Sequence, residues 1–341
     1  MPITMSHISP HTPMGSMLVA DGATFRVWAP RAQDVYLAGS FADEQVWSAR
    51  SDHRLTPDGR GYWSGFHRGV REGDQYKLWV VGQGSSGFKR DPYARELSSS
   101  PPYPASNCVV RDPNTYRWRA TVWRPPPYSD LVLYQLHVGT FGGTDPSRHP
   151  GTFLDTIARP GYLRDLGVTA LQLLPIVEFA SPRSLGYDGS DLFSPEMDYT
   201  LEGPAAHAHL QMVNGELARV GAALTTRAEI EVPINQLKLL VDPCHLNGIA
   251  VMLDVVYNHA GYQVRDISDS LYFFDRAAGT DPNNSLYFMD RDHTGPVFAF
   301  WNAQVRQFLV DNADFFVREY RVDGLRYDQT SVIDTESRGA G

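Results

Sequence analysis

Cysteine is nearly missing from this chain of 341 residues: there are two, Cys108 and Cys244, in no CxxC pair and no zinc-like spacing. A disulfide framework is therefore not expected, and a reducing cytoplasm is the default compartment. Runs of lysine or arginine are missing as well, and the formal net charge is -9. That leaves out the basic footprint by which proteins hold nucleic acid or an anionic membrane surface, and a neutral or cationic ligand fits better. No apolar stretch approaches the ~20 residues that a membrane span needs. The opening "MPITMSHISPHTPMGSM" has no basic segment followed by an apolar run, so it does not read as a signal peptide.

What is present is an ordinary globular balance, 42% hydrophobic and 20% charged, long enough for two domains. Aromatics reach 12%. Flat aromatic faces suit sugar rings, but composition alone is equally served by core and turn aromatics. Residues 1–15 are expected to be disordered. Residues 16–112 read as all-β: "ATFRVWAP", "DVYLAG", "GYWSGFH" and "QYKLWVV" are short, rich in β-branched and aromatic residues, and separated by Gly, Pro and Asp. Such spacing predicts a β-sandwich. "SSSPPYPASN" and "WRPPPY" cannot be helical, because proline removes donors and restrains its neighbours. A Pro-rich linker is expected over 113–130.

Beyond it the rhythm changes. "LVLYQLHV" (131–138), "VTALQLLP" (168–175) and "IAVMLDVV" (249–256) are apolar runs, expected as strands buried on both faces. "TFLDTIARPGYLRDLG" (152–167) reads mainly as a helix, as does "PINQLKLLVDPCHLNG" (233–248), each ending at glycine. "AAHAHLQMVNGELARVGAAL" is helical on propensity. In 302–320, Asn302 can cap a helix whose Val305, Phe308, Leu309, Phe316, Val317 and Tyr320 share a face. "RVDGLRYD" follows as a fourth strand. Alternating strands and helices predict a parallel sheet. The long insertions, 176–232 and 257–301, each separate a strand from its following helix, so both fall at the sheet's C-terminal face, where α/β folds bind ligands.

Asp254 ends the third strand and His259 follows in "DVVYNH"; Arg326 and Asp328 end the fourth. Residues two apart on a strand share a face. A neighbouring guanidinium favours the anionic form of a carboxylate, and an oriented carboxylate can attack an anomeric carbon. Taken singly, each residue is as well explained by a cap or an ion pair, and His259 by a solvated loop. Four such groups at the ends of two successive strands point to a site. Asn258 could simply hold a turn. Tyr187, in "LGYDGSDLFSPEMDY" (185–199), either stacks on a sugar ring or packs its loop together with Phe193. No zinc-type pattern links His245 and His259, which are separated by a whole strand.

These motifs resemble the α-amylase superfamily, glycoside hydrolase family 13. "DVVYNH" is similar to its first signature region and "DGLRYD" to its second, while "GVTALQLLP" and "GYDGSDLFSPEMDY" match the second barrel strand and the loop beyond it. "ATFRVWAPRAQDVYLAG" and "VLYQLHVGTF" resemble the sandwich and the barrel start of glycogen branching enzymes and malto-oligosyltrehalose trehalohydrolases. The resemblance covers about residues 16–334. It implies a carbohydrate-binding-module-like β-sandwich followed by strands one to four of a (β/α)8 TIM barrel over 131–341.

By the same resemblance, Asp328 would be the nucleophile and Arg326 its charged partner. Asp254, His259 and Tyr187 would bind substrate. The substrate would be an α-1,4-glucan, with no cofactor and no metal, although Asn258 matches a calcium ligand in many amylases. The activity implied is 1,4-α-glucan branching, with trehalohydrolase or another α-glucan hydrolase as the nearest alternative. A non-catalytic glucan-binding protein is the alternative of another class. The family's acid/base Glu follows its fifth strand, and Glu178 and Glu196 lie in the wrong loop to replace it. The chain therefore reads as an N-terminal fragment with little turnover of its own.

Overall fold

The computed structural model describes residues 1–42, 47–82, 85–142, 150–180, 184–261, 286–292 and 295–333. It forms two compact units. The first comprises Met1–Asp112, Ser190–Ser194 and His259–Arg306; the second comprises Pro113–Gly189, Pro195–Asn258 and Gln307–Gly341.

The first unit is built from strands β1 (Gly15–Val19), β2 (Gly22–Trp28), β3 (Asp34–Gly39), β4 (Thr56–Pro57), β5 (Tyr62–Arg68), β6 (Gln75–Gly82), β7 (Ser85–Lys89) and β8 (Cys108–Val109). One antiparallel sheet runs β1-β2-β5-β4, and the other runs β3-β6-β7 with β8 also paired to β6. Strict alternation along β6 turns Tyr76, Leu78 and Val80 inward, and Tyr76 meets Phe25 of the opposite sheet edge-on at 5.1 Å. Residues 1–15, expected to be disordered, instead run beside β5 and are held by β2. Thr4 bridges Phe66, and Arg26 holds the Thr12 carbonyl at 2.7 Å. Gly65 makes this possible: a Cβ there would stand 2.4 Å from the Ile3 side chain. Part of the insertion 257–301 joins this unit as the hairpin β14 (Phe288–Asp292) and β15 (Gly295–Phe298). Residues 262–285 of that insertion, like 334–341 at the end of the expected barrel segment, lie outside the described residues.

The second unit carries β9 (Leu133–Leu136), β10 (Ala170–Leu173), β13 (Ala250–Val255) and β16 (Gly324–Tyr327) in one sheet of order β16-β13-β10-β9. Every neighbouring pair is parallel. Two short strands of the first long insertion, β11 (Val177–Phe179) and β12 (Gly189–Pro195), stand outside it. The central strands β10 and β13 are buried almost throughout. The edge strand β9 is not, contrary to expectation: Leu133 is 44% exposed, because a strand at an edge has a neighbour on one side only.

The helices are α1 (Val138–Phe141), α2 (Phe153–Thr156), α3 (Pro160–Asp165), α4 (Gly203–Arg219), α5 (Arg227–Ile230), α6 (Pro233–Leu246), α7 (Ala303–Glu319) and α8 (Thr330–Ile333). The single helix expected over 152–167 is two. Pro160 has no N–H to continue the ladder and restricts Arg159, so α2 stops and α3 restarts with proline in its first turn. Asn302 caps α7 by accepting the Gln304 N–H at 2.9 Å. On α7, Val305, Phe308, Leu309, Phe316 and Tyr320 are buried, whereas Val317, expected with them, is exposed. The stretch 113–130, expected as a linker, belongs to the second unit. Tyr116 is buried with its hydroxyl donating to Asp242 on α6, and Arg119 pairs with Glu229. Among the described residues no helix is long and apolar enough to cross a membrane.

Candidate active site

Parallel pairing of β13 with β16 sets Asp254 in register with Arg326 near the C-terminal ends of both strands. Arg326 Nη1 donates to Asp254 Oδ1 at 2.9 Å and to Asp328 Oδ1 at 2.6 Å. One guanidinium nitrogen thus ties two carboxylates together. The hydrogen bond to Asp254, and then that to Asp328, raises the Arg326 pKa above its ordinary value, so the cation is permanent. The Asp254 side chain is fully buried, whereas Asp328 retains solvent access. An accessible carboxylate beside a fixed cation is equipped to attack an electrophilic carbon.

Asp254 also accepts the Tyr187 hydroxyl at 2.8 Å. Burial, followed by this bond, pushes the Tyr187 hydroxyl up to about 12, so it remains a donor at neutral pH. The preceding glycine permits the approach. Gly186 has φ +89, and a Cβ there would stand 2.4 Å from the Pro175 carbonyl oxygen.

Asn258, which the sequence left open between holding a turn and matching a calcium ligand, grips Asp328 from the other side. Its Nδ2 donates to the Asp328 carbonyl at 2.9 Å and to Oδ2 at 3.2 Å. The two carboxylate oxygens of Asp328 therefore have separate donors, Arg326 on one and Asn258 on the other. The strand end is fixed as well. The Asp328 N–H donates to the Val255 carbonyl at 3.0 Å, and Gln329 then turns the chain out with φ 42, a conformation costly for a residue with a Cβ. Behind the site Tyr257, edge-on to Tyr327, donates to Asn312 Oδ1 at 2.7 Å.

Tyr187, Asp254, Arg326 and Asp328 thus come together within the second unit. His259 belongs to the first, where it is buried and forms a bridge with Val297 of β15. Glu178 and Glu196 hold their own loop. Glu178 accepts the Met197 N–H, and Glu196 accepts those of Phe179 and Asp198. Burial pushes Glu196 up to about 8. Among the described residues, no group of three or more His, Cys, Asp or Glu could hold a metal ion.

The class that the geometry defines is a β-sandwich followed along the chain by a parallel α/β unit with a carboxylate–arginine cluster at its strand ends. Comparison with known proteins agrees. Residues 13–94 match carbohydrate-binding module 48, the isoamylase N-terminal domain. Along 94% of its length the chain is 28% identical to a malto-oligosyltrehalose trehalohydrolase of Saccharolobus solfataricus, covering 46% of that protein. Along 92% it is 28% identical to a 1,4-α-glucan branching enzyme, GlgB, of Rhodospirillum rubrum, covering 38% of that protein.

The fold superposes on the pullulanase of Bacillus acidopullulyticus with TM-score 0.72 at 24% identity, over 95% of this chain and 39% of that one. A maltotetraose complex of a mutant pullulanase of Paenibacillus barengoltzii gives TM-score 0.73 at 21% identity, over 96% and 50%. The chain resembles the α-amylase superfamily from the sandwich into the parallel sheet, and it spans less than half the length of these curated relatives.

Proposed function

We propose that the chain carries the nucleophile side of a retaining α-glucan site, with Asp328 attacking the anomeric carbon of an α-1,4 link. The observation that carries this reading is the Arg326 nitrogen shared between Asp254 and Asp328. In the proposed step an Asp328 oxygen bonds to C1 as the C1–O bond to the leaving sugar breaks, and the electron pair leaves with that oxygen. The glycosyl group then passes to a glucan 6-hydroxyl, which is branching: the C1–O6 bond forms as the C1–O bond to Asp328 breaks, the carboxylate recovers its electron pair, and the hydroxyl proton released to solvent balances the one that the departed sugar oxygen took up. Water as acceptor is the alternative, favoured equally by the relatives, which bear both names. Tyr187 would contact the bound sugar, and the cytoplasm is the compartment proposed. No described carboxyl is assigned the role of general acid, since Glu178 and Glu196 are spent on backbone N–H groups.

α-Maltosyl fluoride tests the nucleophile without an acid, because fluoride departs without a proton. The purified chain should release fluoride, and Asp328→Ala should abolish the release. Amylose turnover, read by iodine staining and reducing ends, should be lower by about 10²–10⁴-fold, the usual contribution of general acid assistance. Fluoride release that survives Asp328→Ala would remove Asp328 from the mechanism. Fast amylose turnover abolished by Asp328→Ala would place an acid within these residues, with Glu178 tested first.

A further inference from the structure

We propose that His137 is a positioning residue, its ring fastening the loop that delivers Tyr187 to Asp254. The inference rests on the reading of the Tyr187–Asp254 face as part of the site. His137 stands directly beyond β9, the first strand, while Asp254 is on the third. The loop between them is held at three points. His137 Nε2 lies 3.2 Å from the Ser184 carbonyl oxygen. Gly186 is clasped by the Ser184 hydroxyl, which accepts its N–H at 3.0 Å, and lies against Pro175. Tyr187 then reaches Asp254 at 2.8 Å. Only two residues, Leu185 and Gly186, separate the histidine-held carbonyl from the tyrosine, too short a span to absorb a shift at one end without moving the other.

The ring chemistry follows from its partners. A carbonyl can only accept, so Nε2 carries the proton. The Tyr199 hydroxyl, 2.8 Å from the same nitrogen, accepts from that shared N–H. Among the described residues Nδ1 is buried without a hydrogen-bond partner, and burial holds His137 below its ordinary value, so the neutral ring is the resident form. The ring's place is reserved by a glycine: a Cβ on Gly139 would stand 2.9 Å from His137 Cε1 and 3.1 Å from the Tyr199 ring. A half-buried histidine spending its one proton on the backbone of a neighbouring loop is a latch, and what it latches is the donor to Asp254.

The test reads Tyr187 directly and needs no substrate. Chains labelled with 3-fluorotyrosine are followed by ¹⁹F NMR, with Tyr187→Phe assigning the resonance. In the wild type this resonance should titrate above 3-fluorotyrosine in an unfolded chain, whose ortho fluorine sets it below tyrosine's own ~10. In His137→Ala, and in His137→Asn, whose amide stops short of Ser184, the titration should fall by about one pH unit or more toward that unfolded-chain value. His137→Gln places an amide N–H where Nε2 stands and should restore it. Tyr199→Phe, which keeps the Ser184 bond, should leave it unchanged. A Tyr187 resonance that titrates alike in wild type and in folded His137→Asn overturns the proposal, as does a Gln variant no better than Asn. Failure of the glucan reading would show instead as fluoride release indifferent to Asp328, with the Tyr187 titration unaffected.

Discussion

Asp328 is held by two side chains of different character, a cation on Oδ1 and an amide on Oδ2. The amide is the more informative of the two, because it can be made anionic with little change of shape. In Asn258→Asp, two carboxylates would stand about as close as Asn258 and Asp328 do now. Like charge disfavours ionisation, and a nucleophile must be ionised to act. The acid limb of the fluoride-release profile should therefore move to higher pH by about one unit or more. A pH–rate profile of the variant beside the wild type checks this, and an unmoved limb would mean that the residue at 258 does not act on the proposed nucleophile Asp328.

Among the elements, α6 does the most to organise the second unit. It is buried along nearly its whole length, and its Asp242 gathers the Tyr116 hydroxyl at 2.9 Å and the N–H groups of Arg119 and Ala120. Residues 116–120 are thereby part of the unit, while Val122 and Tyr128 beyond them are exposed. Chymotrypsin should therefore cut after Tyr128 early, and trypsin should cut slowly after Arg117 and Arg119. Asp242→Ala leaves three donors without their acceptor, at about 1–3 kcal/mol each where no water replaces it. In that variant, tryptic cleavage after Arg117 and Arg119 should become fast. Unchanged digestion would show that Asp242 does not hold the segment.

For the molecule as a whole, one source of acid sensitivity lies in the sandwich. His53 and His67 are both buried, with their rings edge-on at 5.0 Å and Phe41 4.6 Å from His67. Burial lowers both, His67 to about 4, and the other charges near them are Asp52, Arg50 and the amino terminus. The folded state thus binds these protons less readily than the unfolded chain, whose histidines titrate near ~6.5. The stability they contribute is complete above that value and is lost as pH falls toward about 4. Calorimetry should show the melting temperature of the first unit falling between pH 7 and pH 4.5, with a shallower fall in His67→Phe. Equal slopes in both proteins would count against the buried pair.

Much of the architecture was legible in the chain because it depends on local pattern. Alternation marked β6, and an unbroken apolar run marked β13 as a buried strand. Arg326 and Asp328 could be read as a pair because side chains two apart on a strand share a face. Pro160 stood in view, and its power to divide a helix was a local fact that the helical pattern around it outweighed. The remainder is non-local. That Asn258 grips an aspartate 70 residues away, that His137 reaches Ser184 across 47, and that Arg326 lies in register with Asp254 all follow from strand pairing and loop packing. Strand register is chosen by how buried faces match across the whole sheet, so no single segment contains it. By itself the sequence determined which residues could act. The tertiary structure decided which of them meet, because parallel strands bring their ends together only once the helices between them have packed.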